Sequence, residues 1–229
     1  MIKPCTECLI PQNPLMESLI AAGLFVYVIL VVIATKWVYD YLTKRGVKPN
    51  IVIYFNRKLI HVFAGGLVAL LVPLFFTSPT IPAILAIILA IMNYLPHKKG
   101  KLMYWFQVKE NMYEVNFCIM WGVCALVAWT LLGSPIYALL PISFMAFGDA
   151  ATGFVRNIIF RRRTKSWWGN LAMLATCLPL GYYLIGKWGI PIAFIASFIE
   201  HFEFNPIDDN VLISGTSLAY VLIVGHLFM

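Results

Sequence analysis

Polar residues break the 229-residue chain into eight apolar runs, at 15–35, 59–76, 80–95, 114–132, 135–155, 168–186, 188–199 and 211–229. Most approach the roughly 20 residues with which a helix crosses the hydrocarbon layer of a bilayer. Within each run the apolar residues are continuous, so helices are expected, and the alternating segments of a transmembrane barrel are absent. The run at 188–199 would rise only about 18 Å as a helix, a length that also suits a re-entrant segment. The pattern predicts an all-α polytopic membrane protein of about eight transmembrane helices, or seven if 188–199 does not cross. Residues 1–229 read as one integral membrane domain, with no separate soluble domain, long linker or internal repeat.

Composition supports the same class. Hydrophobic residues make up 61% of the chain, charged residues 12%, and mean hydropathy is +0.83. Soluble domains carry about 45–50% apolar and about 25% charged residues, so a water-soluble fold and a disordered chain are both excluded. The net charge of +7 does not imply a nucleic-acid partner, because the basic residues are sorted by loop. Loops 36–58, 96–113 and 156–167 hold 6, 4 and 5 Lys or Arg, 15 of the 17 in the chain, and only Lys3 and Lys187 fall on the other side. Basic loops stay cytoplasmic, which puts the N-terminus outside. The expected location is a cell membrane or endomembrane, with the loops that carry the chemistry facing the cytoplasm. No basic stretch precedes the first apolar run, so a cleaved signal peptide is not expected. Of the five cysteines, Cys118, Cys124 and Cys177 lie inside apolar runs as small core residues. Cys5 and Cys8 have metal or redox spacing but no second ligand pair nearby, and neither a functional role nor a disulfide scaffold is expected of them.

Ionisable groups within or beside membrane spans are costly and mark function. Asp149 stands deep in the fifth run between Gly148 and Gly153, glycines that permit close backbone approach or an unwound turn. Downstream come Arg156 and the basic stretch Arg161, Arg162, Arg163, Lys165, Ser166. Such a stretch serves as a topology signal or an anionic-lipid contact; its place after Asp149 also suits phosphate binding. A third cluster holds Glu200, His201, Glu203, Asn205, Asp208, Asp209 and Asn210. Carboxylates and an amide at a helix entrance supply the hard oxygen ligands that Mg²⁺ prefers. Capping of the last helix accounts for only one of Asp209 and Asn210. In the fourth cluster, Arg57 and His61 are four apart and share a helix face, while Lys58 is expected to point elsewhere and snorkel to the interface. Glu114, near Glu110 and Asn111, is a potential partner for Arg57. Acidic metal-type and basic phosphate-type ligands on one side of an apolar bundle favour phosphoryl or nucleotidyl chemistry on a lipid. P-loop, protein-kinase, lipase and zincin motifs are all absent.

At these residues the chain resembles the membrane family of dolichol kinases, phytol kinases and CTP-dependent diacylglycerol kinases. The resemblance spans 56–215 and rests on four motifs in order: Arg57, Lys58 and His61 entering a span; Gly148, Asp149 and Ala151; Lys165, Ser166 and Gly169; and Asp208, Asp209 and Asn210 before the last span. Two departures fall where a nucleotide is expected. The Asp149–Lys165 stretch is short and lacks its glycine-rich part, and Trp168 and Asn170 replace an acidic and a small residue.

The resemblance implies Mg²⁺-dependent phosphoryl transfer from CTP to a lipid alcohol, a polyprenol or similar isoprenoid. In that reading Asp149, Asp208 and Asp209 hold the metal. Lys165, with Arg57 or Arg161, neutralises the transferred group, and His61 or a carboxylate takes the hydroxyl proton. Gly148, Gly153, Arg161, Ser166, Gly169 and Asn210 contact the nucleotide, and membrane lipids surround the chain. Two other readings are a lipid cytidylyltransferase, which needs similar parts and a phosphorylated acceptor, and a transporter, which needs charges at the bilayer midplane.

Overall fold

The computed structural model describes residues 5–162, 164–202 and 207–227. These form an all-α bundle, 82% helical and without strands among the described residues. In chain order the helices are α1 (Pro14–Lys44), α2 (Pro49–Ile60), α3 (Leu67–Phe75), α4 (Thr80–Lys98), α5 (Tyr113–Leu132), α6 (Pro135–Ser143), α7 (Asp149–Phe160), α8 (Trp167–Ile185), α9 (Gly189–Ile199) and α10 (Asp209–Val224). Two π turns, His61–Gly66 and Phe144–Gly148, join α2 to α3 and α6 to α7 without a break. The composite helices Pro49–Phe75 and Pro135–Phe160 therefore run 27 and 26 residues.

Six helices are long and apolar enough to cross a membrane among the described residues: α1, Pro49–Phe75, α4, α5, Pro135–Phe160 and Trp167–Ile199. The last is not one rod. It reverses at Gly186, whose φ of 59° permits the turn, and α9 returns antiparallel to α8. Asn170 and Ser197 exchange side-chain to backbone hydrogen bonds at one end of this hairpin. At the other, a Cβ on Gly181 would sit 2.7 Å from the Gly189 carbonyl oxygen, the close approach small residues allow between membrane helices. Over their described residues the eight apolar runs are largely helical, but α9, with 11 residues, and α10, with 16, fall short of a full crossing. They rise about 16 and 24 Å.

Burial ranks the helices. The best apolar window of Pro135–Phe160 is 78% buried, against 17% for α1. The centre is filled by Leu140, Phe144, Met145, Met173, Cys177 and Ile192, all fully enclosed. α1 presents Leu15, Leu19, Val26, Leu30 and Trp37 outward, as a lipid-facing helix does. It is tied to the bundle by Tyr27, which donates to Phe63 O, and by Asn56 and Trp105, which donate to its Thr35 and Val32 carbonyls.

Helix starts follow capping chemistry. Asn13, Ser134, Ser166 and Asp208 cap α1, α6, α8 and α10 by accepting a backbone N–H from the first turn. Cys5 and Cys8 form a disulfide, contrary to the expectation from their spacing alone. It sits in an N-terminal segment fastened to the α5 end by Cys5 N–H to Thr130 O, and to the α3–α4 turn by Ser78 and Thr80, which donate to Leu9 O.

Candidate functional site

The site starts on α2. Lys58 and His61 are three apart, on one face, and both meet Asp149, the first residue of α7. Lys58 Nζ lies 2.6 Å from each Asp149 carboxylate oxygen, and His61 Nδ1 lies 3.0 Å from Oδ2. All three side chains are buried, Lys58 at 1% exposure. Lys58 is thus not the interfacial anchor that its sequence position suggested. A carboxylate held inside the bundle needs a counter-charge within reach, and Lys58 supplies it. Gly153, one turn beyond Asp149, makes room, since a Cβ there would collide with the lysine stem.

A second pair lies beside the first. Arg156, on the next turn of α7, grips Glu200 at the end of α9 with Nη1–Oε1 2.7 Å and Nη2–Oε2 2.8 Å. This planar two-point contact is one that guanidinium alone makes. Its remaining donors reach Asn170 Oδ1 and Ser166 O, both at 3.0 Å. Asn170 donates to Ser197 O and Glu200 Oε2. Gly169 admits the guanidinium, which would clash with any Cβ there. Lys165 completes the group by donating to Glu200 O at 2.7 Å and lying 3.2 and 3.4 Å from Glu200 Oε1 and Asp209 Oδ2. At 26% side-chain exposure it is the most accessible of these cations.

The two pairs converge. Asp149, Glu200 and Asp209, all buried, each bring a carboxylate oxygen to within 4.8 Å of the other two. Oxygens around a Mg²⁺ at 2.0–2.1 Å lie at most about 4.2 Å apart, so a small inward movement brings the three into register. Burial pushes the Glu200 carboxyl up, while Lys165 and Arg156 pull it back. Asp208 is not one of the three. Its Oδ1 caps α10 through Val211 N–H, and Oδ2 accepts from Asn116 and Asn210. Burial and the neighbouring Asp209 charge push its carboxyl up to about 6. Of the three carboxylates expected from the sequence as metal ligands, Asp149 and Asp209 lie together with Glu200 in this cluster, while Asp208 is taken up by the cap. Asn210 is fully buried and donates to Tyr113 O and Asp208 Oδ2, and its Oδ1 has no hydrogen-bond partner among the described residues.

Other expected residues take different places. Gly148, Gly153 and Gly169 are used for packing against Cys177, Lys58 and Arg156, rather than left open for a nucleotide. Ser166 caps α8 and its carbonyl accepts from Arg156. Arg161 is exposed at the end of α7 in a left-handed conformation, outside the buried cluster. Glu114 pairs with His97 rather than Arg57. Arg163, Glu203 and Asn205 lie outside the described residues. The sequence reading missed the roles of Lys58, Arg156, Glu200 and Asn170 as a connected set. One signal was present: Lys58 and His61 share a face as surely as Arg57 and His61 do.

Arg57 points away from the carboxylates. It is 4% exposed, its guanidinium lies 3.8 Å from the Tyr113 ring centre, and Nε has no hydrogen-bond partner. With His61, which stacks on Phe117 at 4.2 Å, it lines a cavity of about 220 Å³ among α1, α3, α4 and α5. The site is therefore a buried chamber of acids and bases with an apolar cavity on its flank, and His61 faces both.

Comparisons with family models, with curated proteins and with solved structures find no match to this chain.

Proposed function

We propose that this chain is a Mg²⁺-dependent lipid-alcohol kinase, transferring a phosphoryl group from a nucleotide, CTP by the sequence resemblance, to a polyprenol or similar isoprenoid alcohol. The observation that carries the reading is the convergence of Asp149, Glu200 and Asp209 beside Lys58, Arg156 and Lys165, with His61 joining this chamber to an apolar cavity. Phosphoryl transfer needs positioning and charge neutralisation more than covalent participation, and those are the parts present.

Three carboxylate oxygens are donors of the hard kind that Mg²⁺ takes together with substrate phosphates. The ion supplies charge neutralisation between nucleotide phosphates. The chain's own residues do the rest. Lys58 and Arg156 hold Asp149 and Glu200 in place from behind. Lys165, already accessible, releases Asp209 and meets a phosphate. In the transfer the lipid oxygen forms a bond to the γ-phosphorus, the bond from that phosphorus to the bridging β–γ oxygen breaks, and the nucleoside diphosphate leaves with the bridging oxygen. His61 Nδ1 lies 3.0 Å from Asp149 Oδ2 but out of line for a hydrogen bond; a small rotation of the ring would join the two and leave Nε2 to take the hydroxyl proton. Arg57 stabilises charge on the transferred group. The orientation that suits this chemistry is cytoplasmic, where the basic loops are expected.

Arg57 also supports a second reading. A buried guanidinium with no carboxylate partner among the described residues fits a lipid that already carries a phosphate, as in a cytidylyltransferase. Purified protein incubated with Mg²⁺, lipid alcohols, lipid phosphates and CTP labelled at either the γ or the α position separates the two. Label from the γ position entering lipid is the expected result. Label from the α position alone makes the chain a cytidylyltransferase, and transfer of neither with CTP, ATP or UTP removes the enzymatic reading.

A further inference from the structure

The apolar cavity beside His61 has a shape as well as a lining. Its wall on α4 extends from Pro82 to Pro96. Those 14 residue steps amount to about 21 Å of helix, more than the roughly 15 Å of one leaflet's hydrocarbon. Along this length it is bounded by Leu24 and Val28 of α1, Leu85 and Leu89 of α4, and Phe117 and Trp121 of α5. Charged groups on its wall are confined to one half: Arg57 and His61 of the α2 end, and Glu114 at the start of α5. The opposite end, at Val72, Phe76 and Pro82, is apolar. A volume of about 220 Å³, below the usual range of about 300–1,000 Å³ for small-molecule pockets, is narrow when drawn out over such a distance. Spread over that length, such a volume suits one hydrocarbon chain in file better than two side by side. Left empty, a void of this length would forfeit packing contacts along its whole wall, so a chain-shaped occupant stabilises the fold that surrounds it.

We propose that this cavity seats the hydrocarbon chain of the lipid acceptor, and that its one-chain width selects single-chain alcohols over diacylglycerols. The inference rests on the kinase reading for the identity of the head group, but not for the occupancy of the cavity. A chain lying along α4 with its polar end toward Arg57 and His61 brings a terminal oxygen to the residue that touches Asp149. A diacylglycerol, with two chains joined at one glycerol, can place only one of them and leaves the other against the outer faces of α1 and α4. α1 is the movable wall. It is the least buried crossing helix and is held by a handful of hydrogen bonds, so lateral entry of a chain from the bilayer requires no break in the central bundle.

Two measurements on the full chain in nanodiscs test this. In the unaltered protein, a long-chain alcohol carrying a photoreactive group at the end remote from its hydroxyl is cross-linked and the adduct is mapped by mass spectrometry. Labelling of the α4–α5 wall around Leu85 and Trp121, competed by unlabelled single-chain alcohol and not by diacylglycerol, is the expected result. Labelling confined to the outward faces of α1 and α4, or equal competition by diacylglycerol, overturns the proposal. This readout needs no turnover, so it stands apart from failure of the kinase reading. The second measurement compares prenols of increasing length as phosphoryl acceptors for Leu85→Trp and the parent protein. The ratio of long-chain to short-chain kcat/KM is expected to fall at least tenfold in the variant. An unchanged ratio in a variant that retains the parent's thermal unfolding temperature would place the chain elsewhere.

Discussion

Lys58→Met is the most informative single perturbation, because methionine keeps most of the lysine stem that fills the space over Gly153 while removing the ammonium. In the parent protein that ammonium contacts both oxygens of a carboxylate, and both side chains are 1% exposed. Removing one partner of such a buried pair leaves an uncompensated charge and costs about 3–5 kcal/mol. For a chain of this length each kcal/mol lowers the unfolding temperature by about 2–4 °C, so the loss is on the order of 6–20 °C. Asp149→Leu leaves the complementary buried ammonium and carries a comparable cost. The double variant Lys58→Met/Asp149→Leu removes both charges, and replacing a whole buried pair by apolar groups of similar volume is often neutral. It is therefore expected near the parent's stability, so the coupling between the two positions is close to the sum of the single losses, about 6–10 kcal/mol. Thermal unfolding of the four proteins in one detergent, followed by near-ultraviolet circular dichroism, gives the cycle. Single losses that add in the double variant to within about 0.5 kcal/mol would show that the positions do not interact, and Lys58 would not be the counter-charge of Asp149.

Three further outcomes are expected. Arg57→Met lowers phosphoryl transfer by about 10²-fold or more. It costs at most about 2 kcal/mol of stability, the worth of the contact with Tyr113, because no carboxylate loses its partner; an assay and an unfolding curve on the same preparation check both halves. Gly153→Ala drives a methyl group into the Lys58 stem and lowers the unfolding temperature, whereas Gly23→Ala, where a Cβ meets open space, does not. In metal-free protein, Asp208→Asn flattens the dependence of stability on pH between 4 and 8, on top of a constant cost from turning an amide NH2 toward the Asn116 and Asn210 donors. The folded Asp208 carboxyl titrates near 6, above its ordinary 3.8. The parent therefore loses stability as pH rises from about 4 through 6, while the amide still accepts Val211 N–H and does not ionise. Parallel pH–stability curves for the two proteins between pH 4 and 8 would refute this.

The chain's apolar runs announced helices because continuous apolar stretches leave little else that a bilayer accepts, and the four polar clusters announced a site because intramembrane charge is costly. Neither principle says which charge faces which. Arg57, Lys58 and His61 all lie within five residues where α2 passes into the first π turn, and the choice of Lys58 for Asp149 is made by the rotation of α2 against α7, which depends on Gly153 being a glycine. Likewise Asp208, Asp209 and Glu200 are equivalent as ligands in a string of letters. The cap of α10 consumes Asp208, and the α8–α9 hairpin delivers Glu200, so the chamber's membership follows from two local backbone events. The reversal inside the 33-residue stretch Trp167–Ile199 was legible in the sequence, where Lys187 separates the runs 168–186 and 188–199, although the packing of the two halves against each other was not. Asn170 was noticed for departing from a pattern, and its partners on Arg156 and Glu200 give that departure a purpose.

The paired π turns constrain how this sequence can change. Each carries one residue more than an α-helical turn would use, and they meet across the bundle, where a Cβ on Gly66 would strike the ring of Phe147. One residue corresponds to about 100° of helix rotation. Deleting a single position between His61 and Gly66 would let the helix relax to ordinary winding, and would swing the Lys58–His61 face about a quarter-turn relative to the half that packs as α3. Single-residue insertions and deletions in these two helices should then survive only as compensating pairs, and a redesign that straightens either helix would keep every side chain of the site while aiming them at the wrong neighbours.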